Sequence, residues 1–490
     1  MLNLSTLKTP GVYIDEVSLL PPSVAAVETG IPAFVGYTEN IETRAGKNLV
    51  KIPTRITSFL EYKELFGGPK AETGKSIELK ISDLVDKIDP ADPSHENLIS
   101  REIQAKIDPA KRSKFNMYYA VQWYFANGGG PCYIVSVGSF NANPPITSPN
   151  KDKLMEGVTT LEAEDEPTMI VVPEAVGLDA DGQKGIYEEA LKQANLLGDR
   201  MLIMDVLQAA TKKSEAAADM TAFRGNYSEN RMYGAAYYPY INTSIDFEYG
   251  DDAVNVIHKK KDLPGDGGDG AYHDSFAAIK GDNVLYEQVK TEIGKIELVL
   301  PPSPAIAAVW AKTDAERGVW KAPANVGLAS TIGPTIKIDD ETQKSMNVDP
   351  ASGKSVNAIR QLTGRGTVVW GARTLLGESN EWRYINVRRF FNFVEESVKK
   401  STYRFVFEPN DANTWVSIRA MIENFLTLQW RAGALQGTKP EQAFFVRVGL
   451  GQTMTAQDIL EGRLIVEIGM AVVRPAEFII LRFMHKLPEA

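Results

Sequence analysis

Apolar and polar positions alternate along the first three quarters of the chain in a way typical of strands separated by helices. Short apolar runs bounded by glycine or proline predict buried strands, and runs with apolar residues three and four apart predict helices. The predicted strands lie at 30–37, 132–137, 168–172, 201–206, 233–240 and 366–370. The predicted helices lie at 56–66, 115–126, 185–197 and 303–314. This alternation favours an α/β domain in which helices cover a sheet of parallel strands.

Two polar stretches interrupt this pattern. Residues 70–114 are rich in charge and include the sequence DPADPSHE, and residues 246–300 include HKKKDLPGDGGDG. Polar and turn-forming residues of this kind usually run over the surface of a domain. We therefore interpret the first stretch as an exposed insertion that is helical in places, and the second as another inserted or looped region on the outside of the domain.

The last 120 residues follow a different pattern, that of an α+β unit. Residues 386–402 are amphipathic, and Asp411 to Asn413 offer N-caps for a second helix that ends near Gly433. Three strand patterns then close the chain, at 443–448, 463–473 and 476–486. Helices followed by an antiparallel set of strands predict a separate C-terminal domain.

The first 22 residues hold one strand pattern that precedes any domain. Pro10-Gly11 and Pro21-Pro22 bracket it, and apolar and polar side chains alternate through residues 12–17. Such a strand needs a sheet edge to pair with. Either it is an edge strand of its own domain, or it is an arm that adds to the sheet of another subunit.

Composition and charge agree with a folded chain of several domains. The chain has 490 residues, of which 43% are apolar and 24% charged, and a length of this kind predicts about three domains. The net charge of −10 argues against nucleic acid as a partner, because phosphates attract a basic surface. Residues 361–490 nevertheless carry 16 basic and 13 acidic side chains, against 37 and 50 in the rest. One slightly basic and one acidic surface are therefore expected, the basic one suited to an acidic partner.

Cofactor motifs are weak. Gly265, Gly267 and Gly270 have dinucleotide-motif spacing, but aspartates at 266 and 269 would repel a phosphate, which favours a loop. Gly353-Lys354-Ser355 resembles the end of a phosphate-binding loop, yet Val348 stands where its first glycine belongs. Aspartates at 262, 266 and 269 do not have the spacing of a calcium loop. We expect no cofactor and no metal site.

Catalytic motifs are also weak. Cys132 is the only cysteine, which excludes an internal disulfide, and its apolar surroundings predict a buried thiol. The four histidines are scattered, and no Gly-x-Ser-x-Gly motif is present. We therefore expect no catalytic residue and no enzyme activity.

Targeting signals are not evident. The N-terminal sequence lacks the basic and apolar regions of a signal peptide, and the chain lacks the run of about 20 apolar residues that spans a bilayer. The sequence therefore predicts cytoplasmic synthesis and assembly, with no direct insertion into a membrane.

Several separated blocks resemble the sheath protein of contractile phage tails and related contractile injection systems. In chain order they are TPGVYIDEV (9–17), GIPAFVGYT (30–38), WYFANGGGPCYIVSV (123–137), PPSPAIAAVWAKTDAERGVWKAPAN (301–325), GRGTVVWGARTL (364–375), WRYINVRRFFNFVEESVKKSTYRFVFEPND (382–411) and RPAEFIILRF (474–483). The blocks span nearly the whole chain. None is a catalytic signature, which is consistent with a mechanical polymer.

The resemblance implies a structural subunit. Such subunits have a subtilisin-like α/β domain with inserted regions, followed by an α+β sheath domain that faces an inner tube. They polymerise as stacked hexameric rings and contract to drive the tube through a target cell envelope. The implied partners are other copies of the chain, the tube protein, baseplate proteins and tail-terminator or cap proteins. The implied location is a phage tail or a released extracellular particle.

Residues for the linkage between subunits follow from the same resemblance. An N-terminal arm and a C-terminal strand from neighbouring subunits complete the sheet of a third. The exchanged residues on this chain would be Val12, Tyr13, Ile14, Asp15, Glu16 and Val17 in the arm and Phe478, Ile479, Ile480, Leu481, Arg482 and Phe483 in the strand. The domains would be the arm (1–22), the N-terminal part of the core (23–137), the subtilisin-like domain (138–372) and the C-terminal sheath domain (373–490).

Basic side chains on the two C-terminal amphipathic helices are candidates for contact with the tube. They are Lys399, Lys400, Arg419 and Arg431. The alternative interpretation is an ordinary solvated face with local ion pairs, which acidic residues at 395 and 396 support for the two lysines. Two other functions stay open from the residues alone: a subtilisin-type hydrolase with an unrecognised active site, and a surface adhesion module that uses the aromatic residues.

Overall fold

A computed structural model describes residues 24–87, 96–144, 146–263, 270–271 and 275–481. The arm candidates Val12 to Val17 and the strand candidates Arg482 and Phe483 lie outside these residues. So do the histidines at 95, 273 and 485 and most of the glycine-rich stretch 265–270.

The strands of the described residues are numbered in chain order. They are β1 (Pro32–Thr38), β2 (Thr54–Ile56), β3 (Ile77–Lys87), β4 (Glu96–Ile107), β5 (Cys132–Ser139), β6 (Met169–Val171), β7 (Met201–Asp205), β8 (Gly234–Tyr238), β9 (Ile241–Thr243), β10 (Val254–Leu263), β11 (Gly270–Ala271), β12 (Leu298–Leu300), β13 (Val326–Gly327), β14 (Thr331–Pro334), β15 (Val356–Leu362), β16 (Gly366–Val369), β17 (Phe444–Val448) and β18 (Val466–Met470).

The helices are numbered in the same way. They are α1 (Phe59–Phe66), α2 (Met117–Ala126), α3 (Lys151–Thr159), α4 (Ala180–Leu197), α5 (Ala216–Arg224), α6 (Phe276–Ile279), α7 (Asn283–Ile293), α8 (Ser303–Arg317), α9 (Asp340–Asn347), α10 (Ile385–Thr402), α11 (Ala412–Arg431), α12 (Pro440–Ala443) and α13 (Ala456–Leu460). Short 3-10 turns occur at Thr160–Ala163, Ala175–Gly177, Lys213–Glu215, Arg231–Tyr233, Asp251–Ala253 and Tyr403–Phe405.

The described chain divides into two compact units. The large unit contains residues 28–389 together with 475–481, and the small unit contains residues 24–27 together with 390–474. The chain therefore passes from the large unit into the small one and returns to the large unit after Arg474.

A nine-stranded sheet forms the framework of the large unit. Its strand order is β13-β16-β15-β8-β7-β6-β1-β5-β2. The six strands from β15 to β5 are parallel, and antiparallel strands close both ends. Side chains alternate between two apolar cores, so that Ala33 and Val35 lie in one and Phe34 in the other. The predicted α/β domain with a parallel sheet is confirmed.

The two polar stretches build one additional sheet, with the order β11-β10-β3-β4. Strand β3 belongs to the first stretch and pairs in parallel with β10 of the second. Helices α6 and α7 contribute to its core, in which Ile77, Leu79, Phe276 and Leu285 are buried. The predicted helical segments of the first insertion are wrong for the described residues, because 77–87 and 96–107 are strands. The second stretch, interpreted as inserted or looped, is not a loop in its described part, since it contains β10, α6 and α7.

The small unit contains α10 from Phe390 onward, α11 and the antiparallel pair β17–β18. Asp411 caps α11 by accepting hydrogen bonds from the backbone N–H groups of Asn413 and Thr414, as the sequence predicts. The helix buries an apolar stripe that includes Ile418, Ile422 and Phe425. Residues 476–481 belong to no strand and pair with none of the described residues, so the strand predicted at 476–486 is not formed within the described chain, and its pairing with another copy stays a prediction.

Candidate assembly interface

Strands β17 and β18 form a sheet with two open edges. Each strand has five residues, and within the part of the chain that the structure describes each pairs only with the other. Val446 and Val448 are buried on one face, whereas Phe445 and Arg447 on the other face are exposed. A two-stranded sheet is marginal alone, and its unpaired N–H and C=O groups are a template for further strands. We call this pair the acceptor sheet.

An apolar groove lies beside the acceptor sheet in the small unit, with a volume of about 300 Å³. Helix α10 and strand β18 provide its walls. The lining residues are Phe391, Val394, Glu395, Val398, Lys399, Ile468 and Met470. A strand added next to β18 would present every second side chain to the face that carries Ile468 and Met470.

The predicted exchange residues at the C-terminus are exposed in the single chain. Phe478, Ile479, Ile480 and Leu481 are between 72% and 79% exposed and belong to no strand. Four consecutive apolar residues at this exposure form a surface that is unusual for a monomer. We call residues 478–481 the donor segment. Glu477, immediately before it, forms an ion pair with Arg373 at 2.6 Å.

The described residues that follow the N-terminal arm lie along α10. The backbone N–H of Ala25 donates to Ser401 Oγ at 3.2 Å, and that of Val27 donates to Ser397 Oγ at 3.1 Å. The neighbouring Val24 is buried. The chain is therefore attached to the small unit directly after the residues predicted to form the arm.

The four tube-facing candidates occupy different settings on two helices. Lys399 and Lys400 both pair with Glu396, at 3.1 and 3.4 Å. Arg419 is half-buried, and its Nη2 donates to the carbonyl of Val448 at 2.7 Å. Arg431 is exposed at the end of α11. The structure thus brings the two lysines together and keeps the two arginines apart along α11.

Ionisable groups elsewhere serve the fold. His258 Nε2 lies 2.9 Å from Asp83 Oδ2, and Arg101 binds both oxygens of the same carboxylate. Burial alone would raise the pKa of Asp83, but hydrogen bonds from Arg101 and His258 outweigh it, and the pKa is lowered. Burial raises the pKa of the Cys132 thiol, which keeps it protonated and unreactive.

The structure does not support the other binding functions that the sequence left open, namely a phosphate loop, an adhesion surface and a metal site. The ammonium group of Lys354 is hydrogen-bonded to the carbonyls of Arg224 and Asn226, so it is not poised for a phosphate. All seven tryptophans are at least half-buried, which does not favour an adhesion surface built from them. In the described ranges, no group of three or more histidine, cysteine or carboxylate side chains is placed to hold a metal ion.

No helix among the described residues is both long and apolar enough to cross a membrane.

Family models match most of the C-terminal three fifths of the chain. A model of the phage tail sheath protein central domain matches residues 183–375, and one of the phage tail sheath C-terminal domain matches residues 378–485. The tail sheath protein of Enterobacteria phage T4 is 26% identical over 152 residues, which cover 31% of this chain and 22% of that protein. The tail sheath protein of Vibrio phage KVP40 is 27% identical over 128 residues, which cover 26% and 19%. The chain thus spans about a fifth of the length of these curated relatives.

Solved structures match over nearly the full length. The contracted helical sheath of the anti-feeding prophage is 29% identical, with a TM-score of 0.62, and the match covers 98% of this chain and all of that one. The contracted sheath of the extracellular contractile injection system PVC is 28% identical, with a TM-score of 0.61 and 98% of each chain covered. These matches define the class as structural subunits of contractile assemblies. The chain belongs to the phage tail sheath family, which is not a family of enzymes.

The sequence missed two features of this interface. Arg373 and Glu477 are 104 residues apart, and no local pattern pairs them. The groove beside β18 combines residues from α10 with residues more than 60 positions later. The sequence offered one signal for this interface, the RPAEFIILRF block at 474–483, through which the resemblance implied the exchange residues 478–483.

Proposed function

We propose that this chain polymerises into a contractile sheath of stacked hexameric rings around an inner tube, and that contraction drives the tube through a target cell envelope. The observation that carries the proposal is the coexistence of an acceptor sheet with open edges and an exposed apolar donor segment in one chain. A monomer has no use for either. A homopolymer satisfies both, because each copy donates to one neighbour and accepts from another.

Strand exchange is the linkage that fits these two surfaces. The donor segment of one copy would pair with an edge of the acceptor sheet of another, and the N-terminal arm of a third copy would take the other edge. Beside β18, alternate donor side chains such as Phe478 and Ile480 would enter the apolar groove. Each main-chain hydrogen bond contributes roughly 0.5–1.5 kcal/mol net. Burial of each large apolar side chain contributes about 1.5–3 kcal/mol more.

Contraction then follows from persistent links between rigid bodies. Main-chain pairing tolerates rotation of the donor relative to the acceptor, whereas side-chain contacts between the bodies must repack. A polymer assembled in an extended state can therefore store free energy in its lateral interfaces and release it without a nucleotide. The nine-stranded sheet, which we propose to be subtilisin-like, would be the rigid body that moves.

The inner tube is the proposed partner of the small unit. The last 130 residues are net basic although the whole chain is acidic, and Arg431 is exposed at the end of α11. Charge complementarity of this kind would orient an acidic tube during assembly. Baseplate and terminator proteins would cap the two ends, and relatives occur in structures of the anti-feeding prophage baseplate. Assembly in the cytoplasm, followed by release as an extracellular particle or use in a phage tail, is part of the proposal.

Arg431 provides a test of tube contact. We expect Arg431→Glu to reduce co-sedimentation of sheath with tube, and more strongly at low salt, because exposed charges are screened as ionic strength rises. Arg419→Glu is the contrasting variant, since losing its bond to the Val448 carbonyl should destabilise the small unit itself. Co-sedimentation that is insensitive to Arg431→Glu at every salt concentration would remove the electrostatic contribution.

The linkage is tested by co-expression with the tube and baseplate proteins and electron microscopy of the particles. Ile480→Pro removes a backbone donor and disfavours pairing, so we expect folded subunits that form no long cylinders. Ile480→Val preserves both the backbone donor and an apolar β-branched side chain, and we expect ringed cylinders like those of the unaltered chain. Normal cylinders from Ile480→Pro would contradict exchange of this segment.

A hydrolase is the second function considered, and no observation favours it. His258, the one histidine in the described residues, is buried in the additional sheet, where its Nε2 lies 2.9 Å from an Asp83 carboxylate that Arg101 also binds. A fluorophosphonate probe that labels the native chain but not the denatured chain would revive that hypothesis.

A further inference from the structure

Glu477 is held by two side chains of the large unit. Arg373 Nε donates to Glu477 Oε1 at 3.0 Å, and Arg373 Nη2 donates to Oε2 at 2.6 Å, which makes the pair bidentate. The Tyr384 hydroxyl donates to the same Oε2 at 3.2 Å. The Arg373 side chain is 3% exposed and that of Glu477 is 17% exposed, so water screens this pair only weakly.

Arg373 is itself fixed to the nine-stranded sheet. Its backbone N–H donates to Asn357 Oδ1 and its carbonyl accepts from Asn357 Nδ2, both at 2.8 Å. Asn357 is buried on β15, in the parallel part of the sheet. The remaining guanidinium nitrogen, Nη1, reaches the carbonyls of Asn347 and Gly377. The guanidinium therefore has almost no freedom to follow a moving carboxylate.

The ion pair between Glu477 and Arg373, which we call the anchor, matters because of where Glu477 lies in the chain. It is the residue immediately before the donor segment 478–481, whose four side chains are exposed. A fixed point is thus followed at once by a stretch that pairs with none of the described residues of its own chain. We propose that Glu477 is a positioning residue, which sets the place and direction in which the donor segment leaves its subunit; this rests on the strand exchange proposed above.

A fixed exit has two physical consequences for a polymer. It raises the effective concentration of the donor segment at the neighbour's acceptor sheet, because the segment samples fewer directions. It also passes any pull on the exchanged strand into the sheet through two parallel charge-assisted hydrogen bonds, which keep the carboxylate in one orientation. Without the ion pair to Arg373, the donor segment could still pair with a neighbour's acceptor sheet. It would no longer fix the orientation of its own subunit relative to that neighbour.

The test uses the full chain, co-expressed with tube and baseplate proteins. Glu477→Gln keeps the shape of the side chain and removes its charge. We expect the free subunit to stay folded, proteolysis within residues 475–481 to be roughly tenfold faster, and the yield of long sheaths to fall by a similar factor. Glu378→Gln is the matched control: Glu378 lies 3.5 Å from the same guanidinium but belongs to no exchanged segment, so normal yield is expected.

Two further variants keep the result interpretable. Tyr384→Phe removes only the third contact and should give an intermediate loss of sheath yield, and it decides the question if Glu477→Gln does not fold. A chain that ends at residue 477 removes the donor segment and should form no sheaths. If Glu477→Gln and Tyr384→Phe both gave normal sheath yield and normal protease resistance, while the truncated chain formed no sheaths, the positioning role of Glu477 would be contradicted. Strand exchange by the donor segment would not be. Normal sheaths from the truncated chain would overturn strand exchange itself, and the anchor with it.

Discussion

Phe407 is a bulky side chain in a backbone conformation that suits glycine. Its φ is +73° and its side chain is fully exposed, between α10 and α11. The left-handed region costs a non-glycine residue about 1–2 kcal/mol, and nothing in this unit repays that cost by burial. The residue is therefore a site where the free subunit tolerates strain.

Phe407→Gly should raise the free energy of unfolding of the subunit by about 0.5–1 kcal/mol. Relief of the left-handed strain outweighs the extra freedom that glycine gives the unfolded chain. Val406 is the control, since it is 57% exposed with a φ of −67°, and Val406→Gly should destabilise by a similar amount. Urea titration of both variants measures the two shifts, and shifts of the same sign would contradict the strain argument.

Two buried carboxyl groups make stability depend on pH. Glu174 accepts backbone hydrogen bonds from Tyr37 and Met117, and burial raises its pKa to about 8. Asp205 accepts from the backbone N–H and hydroxyl of Ser303, and burial raises its pKa to about 7. In both cases the folded state holds its proton at a pH where the unfolded chain has lost it.

Unfolding free energy should therefore fall as pH rises from 5 to 8. The contribution of each group is complete below its unfolded pKa, near 4, and is lost as pH rises through 7 for Asp205 and 8 for Glu174. Each group loses about 1.4 kcal/mol per pH unit until its folded pKa is reached, so the combined loss between pH 5 and 8 is on the order of 7 kcal/mol. Glu174→Gln should flatten the upper part of the profile, because its amide does not ionise. Urea titrations at several pH values measure the free energy of unfolding. A value that stays constant or rises between pH 5 and 8 would contradict the prediction.

At the scale of elements, the additional sheet shows where sequence patterns mislead. Strand β3 alternates buried Ile77, Leu79 and Ile81 with polar residues, so its average composition is that of a surface loop. Half of such a strand faces water, and its partner β10 lies far along the chain. Helices α2, α4, α8 and α11 were predictable because their apolar periodicity is local, and α11 also has a local cap at Asp411. The pairing of β3 with β10 was not, because no local pattern specifies it.

Deletion of the two insertions should be tolerated only together. Replacing residues 75–108 by a short linker removes β3 and β4 and uncovers apolar residues on β10, α6 and α7, such as Val254 and Phe276. We expect an aggregating chain. Replacing residues 251–296 as well removes that surface and should restore a soluble large unit. Size-exclusion chromatography distinguishes the two; a monodisperse single deletion would show that the sheet is not cooperative.

The assembly interface also has features that the sequence predicted and features that it did not. The apolar donor segment was visible in the sequence as a run of four residues, and so were the basic residues of α10 and α11. Their settings were not predictable: Arg419 is bound to a strand carbonyl and the two lysines share Glu396, because these contacts depend on tertiary packing. The acceptor edges became evident only once β17 and β18 were seen to pair with nothing else in the described chain.

At the scale of the whole molecule, both ends of the chain are proposed to leave their own subunit. The described N-terminal residues 24–27 are attached to α10 by two backbone hydrogen bonds, so the arm before them can be lost without unravelling the helix. The donor segment likewise leaves from a fixed residue. Subunits linked in this way form a network in which each copy touches several neighbours through its backbone.

Removal of residues 1–20 should leave a folded, soluble subunit that builds no long sheath. The arm precedes the first predicted strand of the α/β domain, so we expect its loss to leave the described core intact and to deprive one acceptor edge of the proposed exchanged strand. Circular dichroism and sedimentation would establish that the subunit folds, and electron microscopy would report cylinders. An insoluble product would indicate an intrachain strand instead, and contractile cylinders would show that this end is not a link.

The parallel pairing of β3 with β10 also means that β3 is synthesised well before the strand that it pairs with. Residues 88–253, which number 166, separate the two strands, so a ribosome adding about 5–20 residues per second needs on the order of 8–30 seconds to deliver the second after the first. During that interval β4 can cover one edge of β3, while the other edge waits unpaired. Nascent chains on crowded polysomes would therefore pass through a period in which one copy can capture the strand of another.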